Sequence, residues 1–106
     1  MRKLVNLLVR QDGLSHEEFV DYWLTEHAPL AEALPGVRKY ATSIPADPDK
    51  AAYDGIAELY LDADASVGDV FASEAGQRVQ ADTKNFLDDD AGEVLVVDET
   101  VQFGDD

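Results

Sequence analysis

The chain has 106 residues, 23 acidic against 8 basic, giving a formal charge of −15 at pH 7, and no cysteine. That length supports one domain with a core and is too short for two, while the missing thiols exclude disulfides, thiolate catalysis and zinc–thiolate sites. Nucleic acids and anionic membrane surfaces need positive patches, so the charge argues against both as partners.

The carboxylates are spread along the chain, and 45% hydrophobic content with clear periodicity excludes a disordered acidic protein. Self-repulsion on this scale destabilises a compact state in dilute buffer. In molar salt the screening length falls to about 3 Å and the penalty largely disappears. The composition therefore points to a halophilic protein, adapted to a salt-rich cytoplasm.

Residues 3–9 read as a buried strand, apolar on both faces apart from Asn6. The run stops by Arg10, too short for a signal peptide or a membrane span, so the expected location is cytoplasmic. Residues 15–36 read as one amphipathic helix, opened by the Ser15/Glu18 capping box and closed by Leu34-Pro35-Gly36. At roughly 100° per residue, Phe19, Trp23, Leu34, His27 and Ala31 share an apolar arc of about 140°. His27 lies near the centre of that arc. An imidazole there is either a core residue bonded to backbone or a pocket group able to move protons near neutral pH. Pro29 lacks an N–H and leaves the Thr25 carbonyl without its helical donor, so the helix should bend beside His27, as helices bordering a cavity often do.

Residues 37–44 read as a second strand, with Arg38, Tyr40, Thr42 and Ile44 on one side; a Pro- and Asp-rich loop and the Asp54-Gly55 turn lead to a third over 56–61. A second helical region runs over 66–87, interrupted at Ala75-Gly76, and aligns Val79, Asp82 and Phe86 on one stripe. A surface break at 88–92, a last strand over 93–103 and a frayed tail at 104–106 complete the chain. There is no repeat or linker.

The order β-α-β-β-α-β has a known solution, the α+β ferredoxin-like arrangement: a four-stranded antiparallel sheet with two helices on one face. The other sheet face must still be covered, because the first and last strands are apolar on both sides. A second copy of the chain, forming a two-fold homodimer, is the simplest cover.

The run Ser15-His-Glu-Glu-Phe19, Tyr22-Trp23, His27-Ala-Pro29-Leu30, Leu34-Pro-Gly36 and Tyr40 resembles the EthD family, as do Tyr53-Asp-Gly55, Ala57-Glu-Leu59 and Asp82 before Phe86-Leu-Asp88. The resemblance spans nearly all of residues 1–106 and implies one EthD-like α+β domain in a dimeric α+β barrel. Relatives of that architecture include muconolactone-type isomerases, polyketide cyclases and cofactorless monooxygenases. The family is named from a gene cluster for ether breakdown in which a cytochrome P450 performs the oxidation, so a partner oxygenase is one implied associate. Fungal members of similar type are implicated in dehydrating aromatic polyketide precursors.

Two helices over one sheet face bring His27 and Trp23 opposite Asp82 and Phe86. A His–Asp pair suits a general base or acid; Asp82 could equally reach solvent. Tyr40 would give a hydroxyl to a substrate oxygen or act as an ordinary strand tyrosine. Trp23 and Phe19 would wall a planar apolar ligand, and Asn6 is either a pocket donor or a satisfied buried amide. Glu58 should meet a basic residue at the dimer face. His16, placed in the first helical turn near solvent, and His27 make a weak metal pair. The Asp62-x-Asp64-x-Ser66 start of a calcium loop lacks its Gly and Glu, and no nucleotide, flavin or serine-hydrolase motif occurs.

These residues support a cofactor-independent enzyme moving protons on a small hydrophobic or aromatic molecule by isomerisation, cyclisation, dehydration or ring oxidation. The alternatives are an accessory protein that carries an intermediate for a partner oxygenase, with His27 as polar anchor, and a structural dimer whose pocket is filled by side chains.

Overall fold

The computed structural model describes residues 1–104. Strand β1 (Arg2–Leu8) turns at Gly13 into helix α1 (His16–Tyr22), which continues through a wide π-type turn (Trp23–His27) into a tight 3-10 stretch (Ala28–Ala33). Strands β2 (Val37–Ser43) and β3 (Gly55–Leu61) follow, then helices α2 (Val67–Ala72) and α3 (Glu74–Asp82), a 3-10 turn (Thr83–Asn85) and strand β4 (Glu93–Asp98). The strands form one antiparallel sheet in the order β2-β3-β1-β4. This is the ferredoxin-like α+β arrangement expected from the element order.

The register sorts the side chains. Leu4, Asn6 and Leu8 of β1 lie level with Leu59, Ala57 and Gly55 of β3, and Tyr40 and Thr42 of β2 continue those rows under the helices. Trp23, Phe19, Phe86 and Leu61 are the most deeply buried side chains. Phe19 stacks obliquely on Trp23 at 5.6 Å and on Phe86 at 5.5 Å, tying the first helix to the turn after α3. Gly55 has a specific reason to be glycine, since a Cβ there would collide with the six-membered ring of Trp23.

The other sheet face carries Val5, Leu7, Ile56, Leu95 and Val97, with Leu95 46% exposed. Glu58 finds its cation on this face in its own chain: Lys3 Nζ donates to Glu58 at 2.6 Å and to Glu99 at 2.9 Å. The ammonium of Lys3 sits above the Tyr60 ring, and these carboxylates hold its pKa above the ordinary lysine value.

Several boundaries differ from the expectation. The first helical region is three segments rather than one helix, because Pro29 cannot return an N–H to Thr25 and the turn before it widens. The break in the second region falls at Ser73, whose Oγ accepts from the Gly76 N–H at 3.0 Å and caps α3. Gly76 instead serves the close approach of α3 to the backbone of Val70 and Phe71. Strand β4 stops at Asp98, opposite Arg2, so Val101 and Phe103 lie beyond any partner strand and are exposed. Asp105 and Asp106, in the tail expected to fray, lie outside the described residues.

His16 also departs from its expected place near solvent. Its Nδ1 lies 2.9 Å from Asp54 Oδ1, which also accepts from the Arg10 guanidinium at 2.8 Å. Burial pushes the Asp54 carboxyl up, but the Arg10 N–H, His16 and the Arg10 side chain together hold it below its ordinary value. This cluster pins the start of α1 to the start of β3.

Candidate functional site

The site begins with the widened turn. Its closing bond runs from the Ala28 N–H to the Trp23 carbonyl, five residues back, and sets His27 at the inner side of the helix. His27 is 7% exposed and its ring lies 4.6 Å from that of Phe86. A buried imidazole without a partner would cost on the order of 1–3 kcal/mol. Here Nδ1 lies 2.8 Å from Asp82 Oδ2 at the end of α3. An ionised carboxylate only accepts, so Nδ1 carries a proton, and in the neutral form of the ring the lone pair is on Nε2.

Asp82 is itself well held. Its Oδ1 accepts from the Tyr22 hydroxyl at 2.6 Å and from Asn85 Nδ2 at 2.9 Å. Neither Tyr22 nor Asn85 was expected from the sequence as a site residue. Tyr22 falls off the apolar arc at α-helical spacing, and Asn85 sits in a short 3-10 turn with no hydrophobic pattern to mark it.

Beside the imidazole lies a cavity of about 840 Å³ between the sheet and the helices. Leu4, Leu34, Leu59, Phe71 and Val79 contribute apolar walls, while the exposed residues Gln77, Gln80, Lys84 and Asp89 stand around its mouth. His27, Tyr40 and Asn6 are the polar groups of the sheet-side interior. Tyr40 accepts a hydrogen bond from Trp23 Nε1 at 3.1 Å, which leaves its own O–H free to donate. Among the described residues no fully buried polar side-chain atom lacks a partner. Among the described residues His27 Nε2 and the Asn6 amide make no hydrogen bond to protein, and both side chains belong to residues that line the cavity.

The expected site residues thus separate. His27, Tyr40, Trp23, Asn6 and Phe86 all line the cavity. Asp82 reaches it only through His27. Phe19 does not line it and packs behind Trp23 and Phe86. Among the described residues no three His, Asp or Glu side chains converge as a metal site would require, and no helix is long and apolar enough to cross a membrane.

The EthD domain family model matches residues 11–90. The chain belongs to the EthD family. An uncharacterized 11.0 kDa protein in the thcB-thcC intergenic region of Rhodococcus erythropolis is 31% identical over 87 residues, covering 78% of this chain and 82% of that protein. An EthD family protein from Bacillus halodurans has the same fold, with a TM-score of 0.78 at 20% identity over 94% of this chain and 99% of that one. A dimeric ferredoxin-like protein from Thermobifida fusca aligns with a TM-score of 0.70 at 17% identity, over 91% and 88%.

Within this EthD domain the ionisable groups are displaced in definite directions. Burial pushes Asp82 up, but the donors Tyr22, Asn85 and His27 outweigh it and hold the carboxyl below its ordinary value. Burial pushes the Tyr40 phenol up, so it stays a neutral donor at neutral pH. Tyr22 is raised chiefly by its bond to Asp82.

A carboxyl whose folded pKa is depressed contributes stability that is fully present above its unfolded value and is lost as pH falls through the folded one. Asp82→Asn should therefore melt below the wild type at neutral pH. The gap should hold down to about pH 4 and close at lower pH, where the wild-type carboxyl also becomes neutral. Paired melting curves from pH 7 to pH 2 measure this directly, and a gap that widens on acidification would contradict the pairing.

Proposed function

We propose that the protein catalyses proton transfer on a small hydrophobic carbonyl or phenolic compound held in the cavity, in a reaction of the isomerase, cyclase or dehydratase kind. The observation that carries this reading is the division of labour on one imidazole: Nδ1 is committed to Asp82 and Nε2 is free toward an apolar cavity. A neutral imidazole so oriented is ready to take a proton, and the carboxylate behind it stabilises the imidazolium that forms. Tyr40, neutral and with its proton uncommitted, would donate to the oxygen on which charge develops. Trp23 and Phe86 would flank a planar ligand, and Asn6 would hold a second polar group of the same molecule. The cavity volume lies within the range of small-molecule sites, roughly 300–1,000 Å³.

The test is hydrogen–deuterium exchange at the carbon beside the carbonyl of cyclic and aryl ketones in D2O, followed by proton NMR. The wild type should accelerate exchange of at least one such compound, and His27→Gln should lose ~10²–10⁴-fold of that rate while remaining folded. Ligand binding with no exchange in the wild type would favour a carrier role, with His27 as a polar anchor. Equal rates in wild type and variant would remove His27 from the chemistry.

The active assembly is proposed to be a homodimer joined through the open sheet faces. The apolar row Val5, Leu7, Ile56, Leu95 and Val97 supports this, and the Thermobifida fusca neighbour is dimeric. The −15 charge supports salt dependence of the pairing, because two such chains repel unless screened. Light scattering should report about twice the chain mass in molar potassium chloride and a smaller average mass in dilute buffer. A monomer in molar salt would contradict the face-to-face dimer.

A further inference from the structure

The widened turn in the first helix and the two polar residues behind Asp82 belong together. In an α-helix at roughly 100° per residue, positions five apart point about 140° away from each other. Tyr22 and His27 are five apart, yet both contact one carboxylate: Tyr22 Oη to Oδ1 at 2.6 Å and His27 Nδ1 to Oδ2 at 2.8 Å. A π-type turn closes one residue later than an α-turn and so brings positions five apart toward the same side. Trp23–His27 is that turn. Asn85 completes the arrangement from the other helix, donating to Oδ1 at 2.9 Å and to the Tyr22 hydroxyl at 3.2 Å. Asp82, Tyr22 and Asn85 all stand outside the cavity lining.

We infer that Tyr22 and Asn85 are positioning residues for His27, assembled by the π-type turn: by occupying Oδ1 they leave Oδ2 to Nδ1, fix the tautomer that turns the Nε2 lone pair to the cavity, and set how strongly that nitrogen holds a proton. The inference rests on the proton-transfer reading for its catalytic meaning but not for its structural content. The physical reason is charge sharing. Each donor on Oδ1 disperses the negative charge of Asp82, so fewer donors leave a carboxylate that attracts the imidazolium more strongly. A merely structural bond would hold the helices together without tuning His27.

The experiment is an NMR titration of the His27 ring in the full chain, in molar potassium chloride. Tyr22→Phe removes one oxygen and keeps the ring that packs 5.3 Å from Phe86. Its His27 midpoint should rise by about half a pH unit or more, with Asn85→Ala moving it the same way. The exposed pair of Tyr53 and Glu93, 3.1 Å apart, supplies a matched control, and Tyr53→Phe should leave the midpoint unchanged. Tyr40, Lys84 and Asp89, the other ionisable groups on the cavity lining, are untouched by these substitutions. Asn85 is exposed, so Asn85→Ala remains readable even where Tyr22→Phe folds poorly. Midpoints unmoved in both folded variants, or moved downward, would overturn the inference. A protein that exchanges no ketone proton but shows the raised midpoints would lose the catalytic reading alone, whereas intact exchange with unmoved midpoints would sink the positioning role alone.

Discussion

The bond between Asp82 and His27 organises this molecule. It joins the inner side of the first helical region to the end of α3, and it makes burial of an imidazole tolerable among aromatic side chains. Without it, Nδ1 would face Phe86 with nothing to receive its proton, and the ring would have no reason to present Nε2 to the cavity rather than the reverse. The neighbouring features serve that bond. The π-type turn rotates His27 and Tyr22 to one side, the Ser73 cap and the close contact at Gly76 set the direction of α3, and Gly55 clears space for the six-membered ring of Trp23 against β3. Aromatic contacts of Phe19 and Phe86, each worth about 0.5–1.5 kcal/mol beyond burial, keep the two helical regions in register.

The net charge of the chain is almost entirely a property of its outside. Asp82 and Asp54, the carboxylates drawn furthest in, are both met by several donors. The cavity walls are otherwise apolar, and the acidic residue that lines it, Asp89, stands at the exposed mouth. The surface carboxylates, which salt screens, are thereby kept apart from the largely apolar surroundings of the imidazole. The open sheet face is the exception, with Lys3 clamped between Glu58 and Glu99 amid apolar residues. A cation shared by two carboxylates suits a face that is wet in one state and covered in another.

Much of this was legible in the sequence because it rests on periodicity. The apolar run of residues 3–9 and the Asp54-Gly55 turn marked β1 and β3, the Ser15/Glu18 box located the start of α1, and α-helical spacing placed His27, Trp23 and Phe86 on inward faces. Laying two amphipathic helices over one sheet brought Asp82 within reach of His27 but left open whether it would pair with the imidazole or turn to solvent. What periodicity could not show was any departure from it. Pro29 announced a disturbance near His27 but not its kind, and the π-type turn that brought Tyr22 to Asp82 has no signature at 100° per residue. Asn85 lies in a turn too short to carry a pattern. Phe19 was misplaced as a cavity wall because an inward face does not distinguish a residue that lines a void from one packed behind it. His16 was assigned to solvent because its partner, Asp54, comes from another segment, and long-range contacts leave no local trace.

The central claim is that one imidazole nitrogen belongs to the protein and the other to a ligand. Long-range proton–nitrogen NMR of the wild type, during titration with 2-naphthol in molar potassium chloride, reads both nitrogens of His27 separately. The account predicts an Nδ1 that stays protonated and nearly unmoved, and an Nε2 signal that shifts progressively to saturation as the phenol donates to it. A proton on Nε2 in the free protein, or a His27 that remains unchanged at millimolar naphthol, would contradict it.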